Sequence, residues 1–131
     1  MKKSKKTLIA TILIGTLLTG CGAHKNDAEV DLTEMSATMV YSTVADMLSN
    51  PDNYKGKSVR MDGDSNITHD GTHSCIVYDA LGCCAEGIEY VLSEEYEDYP
   101  ADGKHITVVG TFATYTKNKT KYFVLINSQL E

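Results

Sequence analysis

His105-Ile-Thr-Val-Val-Gly110-Thr-Phe-Ala-Thr-Tyr115 is the stretch on which the fold turns. β-branched and aromatic residues crowd it, which suits a pleated, half-buried surface. Gly110 interrupts it, and a lone glycine inside a strand marks a sharp bend of the kind a barrel strand makes. Lys117-Asn118-Lys119 then reads as a hairpin turn, and residues 121–126 as the returning strand.

Upstream, Val59, Met61 and Gly63 alternate with Arg60, Asp62 and Asp64, the period of two expected of a strand. Residues 72–78 and 87–92 read as two more strands. Before them, Val40, Val44, Met47 and Leu48 recur at i, i+4, i+7 and i+8, which predicts a helix over about 35–50. Ser36 or Ser42 is placed to cap it, and Pro51 stops it, because the residue before a proline avoids the α region. Met35, Met39 and Met47 read as core filler rather than copper ligands. These elements predict a mainly β domain, a five-stranded OB-like antiparallel barrel with one N-terminal helix, over residues 34–131. The entry Pro51-x-x-Tyr54-x-Gly56-Lys57-x-Val59-x-x-x-Gly63 resembles the start of small OB-fold domains in bacterial envelope proteins. An OB helix normally lies between the third and fourth strands. Here that place is an acidic connector, 93–103, kept short by Pro100, so the N-terminal helix is expected to plug the barrel bottom.

The chain opens with Lys2, Lys3, Lys5 and Lys6 and an apolar run over 8–18, shorter than the roughly 20 residues a membrane-spanning helix needs. Leu18-Thr19-Gly20-Cys21 follows and resembles the lipobox of bacterial lipoproteins: an aliphatic residue, two small ones and the cysteine that is lipidated. The resemblance implies a signal peptide over 1–20 and a diacylglyceryl group on Cys21. Residues 21–33 then form a lipidated, flexible tether, with His24 as linker rather than ligand. Two acyl chains are enough for stable anchoring, so the mature protein is expected on the outer face of the cytoplasmic membrane. Gly22, rather than aspartate, gives no inner-membrane retention signal, and the envelope is read as Gram-positive in type. Without the first four lysines, eight basic residues face eighteen acidic ones, a net charge of −10. Such a surface repels phosphate backbones, which disfavours nucleic-acid binding, and attracts cations. The run Glu94, Glu95, Glu97 and Asp98 lacks the order of a calcium loop and reads as a solvated connector.

The chemistry concentrates between residues 73 and 89. His73, Cys75, Cys83 and Cys84 lie there with Asp79, Glu86 and Glu89. With Cys21 consumed by lipid, three thiols remain, an odd number that leaves no complete disulfide framework. In a strand His73 and Cys75 share a face with Val77. A hairpin turn between the second and third strands would bring Cys83 and Cys84 near. A Cys₃His set suits tetrahedral zinc first, and thiolates also suit Cu(I). Adjacent cysteines on a strand point apart, so both ligate only from a tight loop, and Asp79, Glu86 or Glu89 could replace a missing ligand. The competing reading is structural: Cys75 pairs with Cys83 or Cys84, stapling the domain by roughly 2–4 kcal/mol. Thiol redox chemistry ranks last, since no Cys-x-x-Cys at a helix start is present.

Asp79-Ala80-x-x-Cys83-Cys84-x-x-Gly87-Ile88-Glu89-Tyr90 resembles a motif of small uncharacterised bacterial envelope proteins. The resemblance implies an accessory role in the envelope, in metal handling or beside a permease, and marks Asp79, Cys83, Cys84, Gly87 and Glu89. Asp79 and Glu89 equally fit structural duties, capping the loop and pairing with lysine. His69 and His105 lack a nucleophile partner, and no phosphate-cradling glycine loop is present, so a non-enzymatic protein is expected.

Overall fold

The computed structural model describes residues 27–131. The expected signal peptide, the lipobox, Cys21 and the first residues of the tether lie outside the described residues. No helix among the described residues is long and apolar enough to cross a membrane.

The elements are β1 (Val30–Asp31), α1 (Ala37–Ser49), a 3₁₀ turn at Pro51–Asn53, β2 (Ser58–Ile67), β3 (His73–Tyr78), β4 (Ala85–Leu92), β5 (His105–Lys117) and β6 (Thr120–Leu130). Ser36 caps α1, its hydroxyl accepting from the Met39 amide. Pro51 opens the 3₁₀ turn immediately beyond the helix. β5 and β6 meet at Asn118 and Lys119, both at positive φ (51° and 67°), a mirror-image turn whose twist matches the strands it joins.

Hydrogen bonding runs β1-β2-β3-β4-β6-β5, and β5 also pairs with β2. The pairs β2–β3, β3–β4, β4–β6, β6–β5 and β5–β2 therefore close a ring, with β1 attached to β2 from outside it. The sheet is mixed, not wholly antiparallel: β4 runs parallel to β6, and β1 parallel to β2. The correction follows from parity. Alternating directions cannot close around a ring of five, so one neighbouring pair must run parallel. The last residues of the segment 21–33 belong to the folded body. Val30 pairs with Val59, and Leu32 is buried in the core. Arg60 holds that segment, bonding Thr33 Oγ1 at 2.6 Å and Glu131 at 2.7 Å, with Asp31 at 3.4 Å.

One core fills the ring. Val59 and Met61 of β2, Ile88 and Tyr90 of β4, and Ile106, Val108 and Phe112 of β5 alternate inward. α1 packs against β3 and β4 and adds Val44 and Met47. Connector 93–104 contains no helix. Gly110 sits where expected for an irregularity. The β5–β6 register shifts between Val109 and Thr111, and Asn127 takes up the extra residue at φ 50°. A side chain at position 110 would run into Ser128 Oγ and lie 3.0 Å from Leu125 Cβ.

Candidate metal centre

The β3–β4 connection, residues 79–84, is a compact turn organised by one carboxylate. The Gly82 amide bonds the Asp79 carbonyl at 3.0 Å, and Gly82 itself turns the chain at φ 69°. The Asp79 amide bonds the Cys84 carbonyl at 3.0 Å, closing the loop. Asp79 Oδ1 then accepts from the amides of Cys83 (2.9 Å) and Cys84 (3.3 Å), the local capping for which aspartate is suited in turns. Its other oxygen accepts from the Cys83 thiol at 3.2 Å. Because the loop curls, the adjacent cysteines do not diverge as strand neighbours would. Their sulfurs are 3.9 Å apart, close to the separation that two 2.3 Å bonds at a tetrahedral angle require.

Asp79, Cys83 and Cys84 thus offer one carboxylate oxygen and two sulfurs, all within 4.8 Å of one another. A set of two soft ligands and one hard one, open to solvent on one side, suits a borderline-soft ion that takes its fourth ligand from outside. The protonation is coupled to the same geometry. The Asp79 carboxylate, by accepting the thiol proton, pushes Cys83 up from its ordinary value, and Cys84 adds to the effect. The Cys83 bond, followed by the amides, holds Asp79 below the usual carboxylate range. At neutral pH the centre is therefore a thiol bonded to a carboxylate, and a bound cation would take the place of that proton.

Two of the four expected ligands lie elsewhere. Cys75 is fully buried, paired in register with Ile88 and facing the core, where burial pushes its thiol up to about 12. His73 opens β3, five residues before Tyr78, so roughly 17 Å of strand at about 3.3 Å per residue separates it from the turn. It stacks instead on Tyr99, with ring centroids 4.0 Å apart. The three thiols Cys75, Cys83 and Cys84 are free, so the hairpin staple is absent from this structure. Its geometry is also unfavourable, since Cys75 faces the core while both other thiols are exposed. The motif positions divide as well. Glu86 and Gly87 lie on β4 opposite Val77 and Ile76. Glu89 pairs with no lysine among the described residues; its Oε2 accepts from the Tyr115 hydroxyl at 2.6 Å.

No protein-family model, curated protein or solved structure matches the chain. The centre therefore stands on its own residues. Tyr41 of α1 is a neighbour that sequence spacing did not suggest. Partial burial first, then the charges of Cys84, Glu86, Asp79 and Cys83, raise its pKa, and α1 packs against β3 and β4, the two strands that the turn joins. Leu81, 87 % exposed, projects from the same turn.

The difference in exposure has a direct readout. Cys84, and more slowly Cys83 because Asp79 holds its proton in place, are expected to react with an alkylating reagent in the folded protein, since both are exposed. Cys75 should stay unmodified until denaturant is added, because the thiolate is the reactive form and burial suppresses it. Peptide mapping by mass spectrometry distinguishes the three. Labelling of Cys75 at the rate of Cys83 would contradict its place in the core.

Proposed function

We propose that this protein is a lipid-anchored, extracytoplasmic lipoprotein whose β domain binds a thiophilic metal ion, zinc first, through Cys83, Cys84 and Asp79. The observation that carries this reading is the 3.9 Å approach of two adjacent sulfurs beside a carboxylate that already accepts a hydrogen bond from one of the thiols. The lipobox at 18–21 and the basic, apolar head support anchoring through Cys21 on the outer face of the cytoplasmic membrane. The closed ring of five strands with one parallel pair supports an OB-like barrel as its architecture.

An exposed three-ligand site leaves the ion's fourth position to water or to a partner. That suits capture and hand-over better than structural fixation, for which zinc is normally closed in by four protein ligands. The role proposed is therefore non-catalytic: an accessory to envelope metal handling, passing the ion to or from a neighbouring permease. Excess negative charge on the domain would raise the local cation concentration.

The test is metal content, measured on a chain starting at Gly22 and purified without chelator. About one zinc or copper ion per chain is expected, lost in Cys84→Ser and retained in Cys75→Ala. A chain that carries no metal and takes up none from a zinc solution would sink the proposal.

A further inference from the structure

The β3–β4 hairpin has a second chemically distinctive end. Away from the 79–84 turn, a cleft of about 460 Å³ is walled by His73, Tyr90, Tyr99 and Tyr115, with Val124 and Ile126 among its apolar surfaces. The aromatic wall is assembled from four separate parts of the chain. His73 comes from the start of β3 and Tyr90 from β4. Tyr99 comes from the acidic connector and Tyr115 from the end of β5. Tyr99 stacks on His73 and lies 5.9 Å from Tyr90, centroid to centroid, while its hydroxyl accepts from the Leu92 amide at 3.1 Å. Tyr115 is backed by Tyr122 at 5.1 Å.

The polar groups have one sign. Glu89 lines the cleft and is fixed by the Tyr115 hydroxyl. Asp70, in the β2–β3 turn, directly precedes Gly71 and Thr72, which line the cleft. Among the described residues no lysine or arginine lines the cleft. Nδ1 of His73 is buried without a hydrogen-bond partner, an unmet polar atom of the kind native structures normally pair.

We propose that this cleft binds an organic cation: an ammonium group carried on an aromatic or aliphatic body. Ring faces attract cations through their quadrupole, and the attraction grows when water is excluded. Glu89 supplies the countercharge, and the apolar surfaces of Val124 and Ile126 accept the uncharged body, as in small-molecule sites generally. An anion of the same shape meets Glu89 and Asp70 and is excluded. The site is separate from the thiol turn, and its ligand needs no metal.

Three probes sharing a phenylalkyl body and differing in charge test this: 2-phenylethylamine, 2-phenylethanol and 3-phenylpropionate. Each is titrated into the whole chain at pH 7, followed by NMR, with chelator present so that no metal serves as an amine site. The amine is expected to bind at least about tenfold more tightly than the alcohol, with shifts at Tyr90, Tyr99 and Tyr115, and the acid not to bind. Glu89→Gln keeps the hydrogen-bond acceptor for Tyr115 and should bring the amine down to the alcohol's affinity. Tyr99→Leu, on the exposed connector, should lower the amine's advantage with the fold intact. Equal binding of all three probes, no binding of any, or amine binding undiminished in Glu89→Gln would each overturn the proposal.

Discussion

Gly63→Ala is expected to destabilise the domain by about 3 kcal/mol or more, lowering its thermal midpoint by roughly 12 °C or more. β2 is the strand on which the ring closes. From Ser58 to Asp64 it pairs with β5 along one edge, and from Asp64 to Ile67 with β3 along the other. Gly63 lies immediately before β3 joins, and β3 crosses it closely. A Cβ there would run into the Ile76 carbonyl oxygen and lie 2.6 Å from Cys75 Sγ. Neither obstacle can rotate away, since one is backbone and the other is packed in the core. The cost must then be taken by separating β2 from β3, which opens the ring. Gly87→Ala is the matched control. Its Cβ would meet Ile76 Cδ1 at 2.5 Å, the far end of a flexible side chain, with the Cys75 carbonyl at an ordinary 3.5 Å. Its cost should be about 1 kcal/mol or less. Urea or thermal unfolding of the two variants side by side decides the matter. Equal stabilities would mean that β3 does not press on β2 as the structure has it.

The elements were legible in the sequence because their signals are local. The alternation Val59, Met61, Gly63 faces the core as its period of two requires, and Gly110 marks a real register irregularity. Ser36 and Pro51 bound the helix for reasons confined to a few residues. The closure of the ring was not local. The parallel β4–β6 pair depends on connector 93–104 carrying β5 across to β2, and no motif in that connector announces it. Strand parity, however, was available: five strands in a closed ring exclude an all-antiparallel arrangement.

The same division holds for the candidate centre. Cys83, Cys84 and Asp79 lie within six residues, so the turn that joins them could be read from Gly82 and from the need for a tight loop. Cys75 lies in the core, apart from the turn, for a reason that the pattern carries. A cysteine that shares a strand face with Val77 points into the core, where a thiol stays protonated. His73 shares that face too, but at the strand's far end, where its neighbours are Tyr90 and Tyr99. That aromatic cleft draws on four segments spread over more than forty residues, and no spacing rule links them.

Loss of the carboxylate at the turn is expected to weaken zinc binding by at least about 100-fold, beyond the 10–100-fold typical of a residue that only supports a ligand. Asp79→Ala has two opposed consequences. The Cys83 thiol loses the carboxylate that is the main cause of its raised pKa, so it gives up its proton more readily, which favours metal. Against this, the ion loses an oxygen ligand and the amides of Cys83 and Cys84 lose their acceptor, so the sulfurs are no longer held 3.9 Å apart. The second effect should dominate, because easier deprotonation helps only a site whose ligands remain in place. Asp79→Asn separates the two. Its amide oxygen can still cap the loop, so its affinity should fall between those of wild type and Asp79→Ala. The pH dependence follows from the directions of the two shifts. Cys83 is raised, so its S–H bond to Asp79 is intact at neutral pH and is lost as pH climbs through the raised value. Asp79 is lowered, so it remains a carboxylate until pH falls through its depressed value. Zinc affinity of the wild type should therefore rise with pH across the neutral range, by about tenfold per unit for each thiol proton the ion displaces, one from Cys83 and one from Cys84. In Asp79→Ala the Cys83 contribution to that rise should level off at lower pH. Competition with a chromophoric chelator at several pH values measures both effects. A flat profile, or an Asp79→Ala variant that binds zinc as tightly as wild type, would remove the carboxylate–thiol pair from the site.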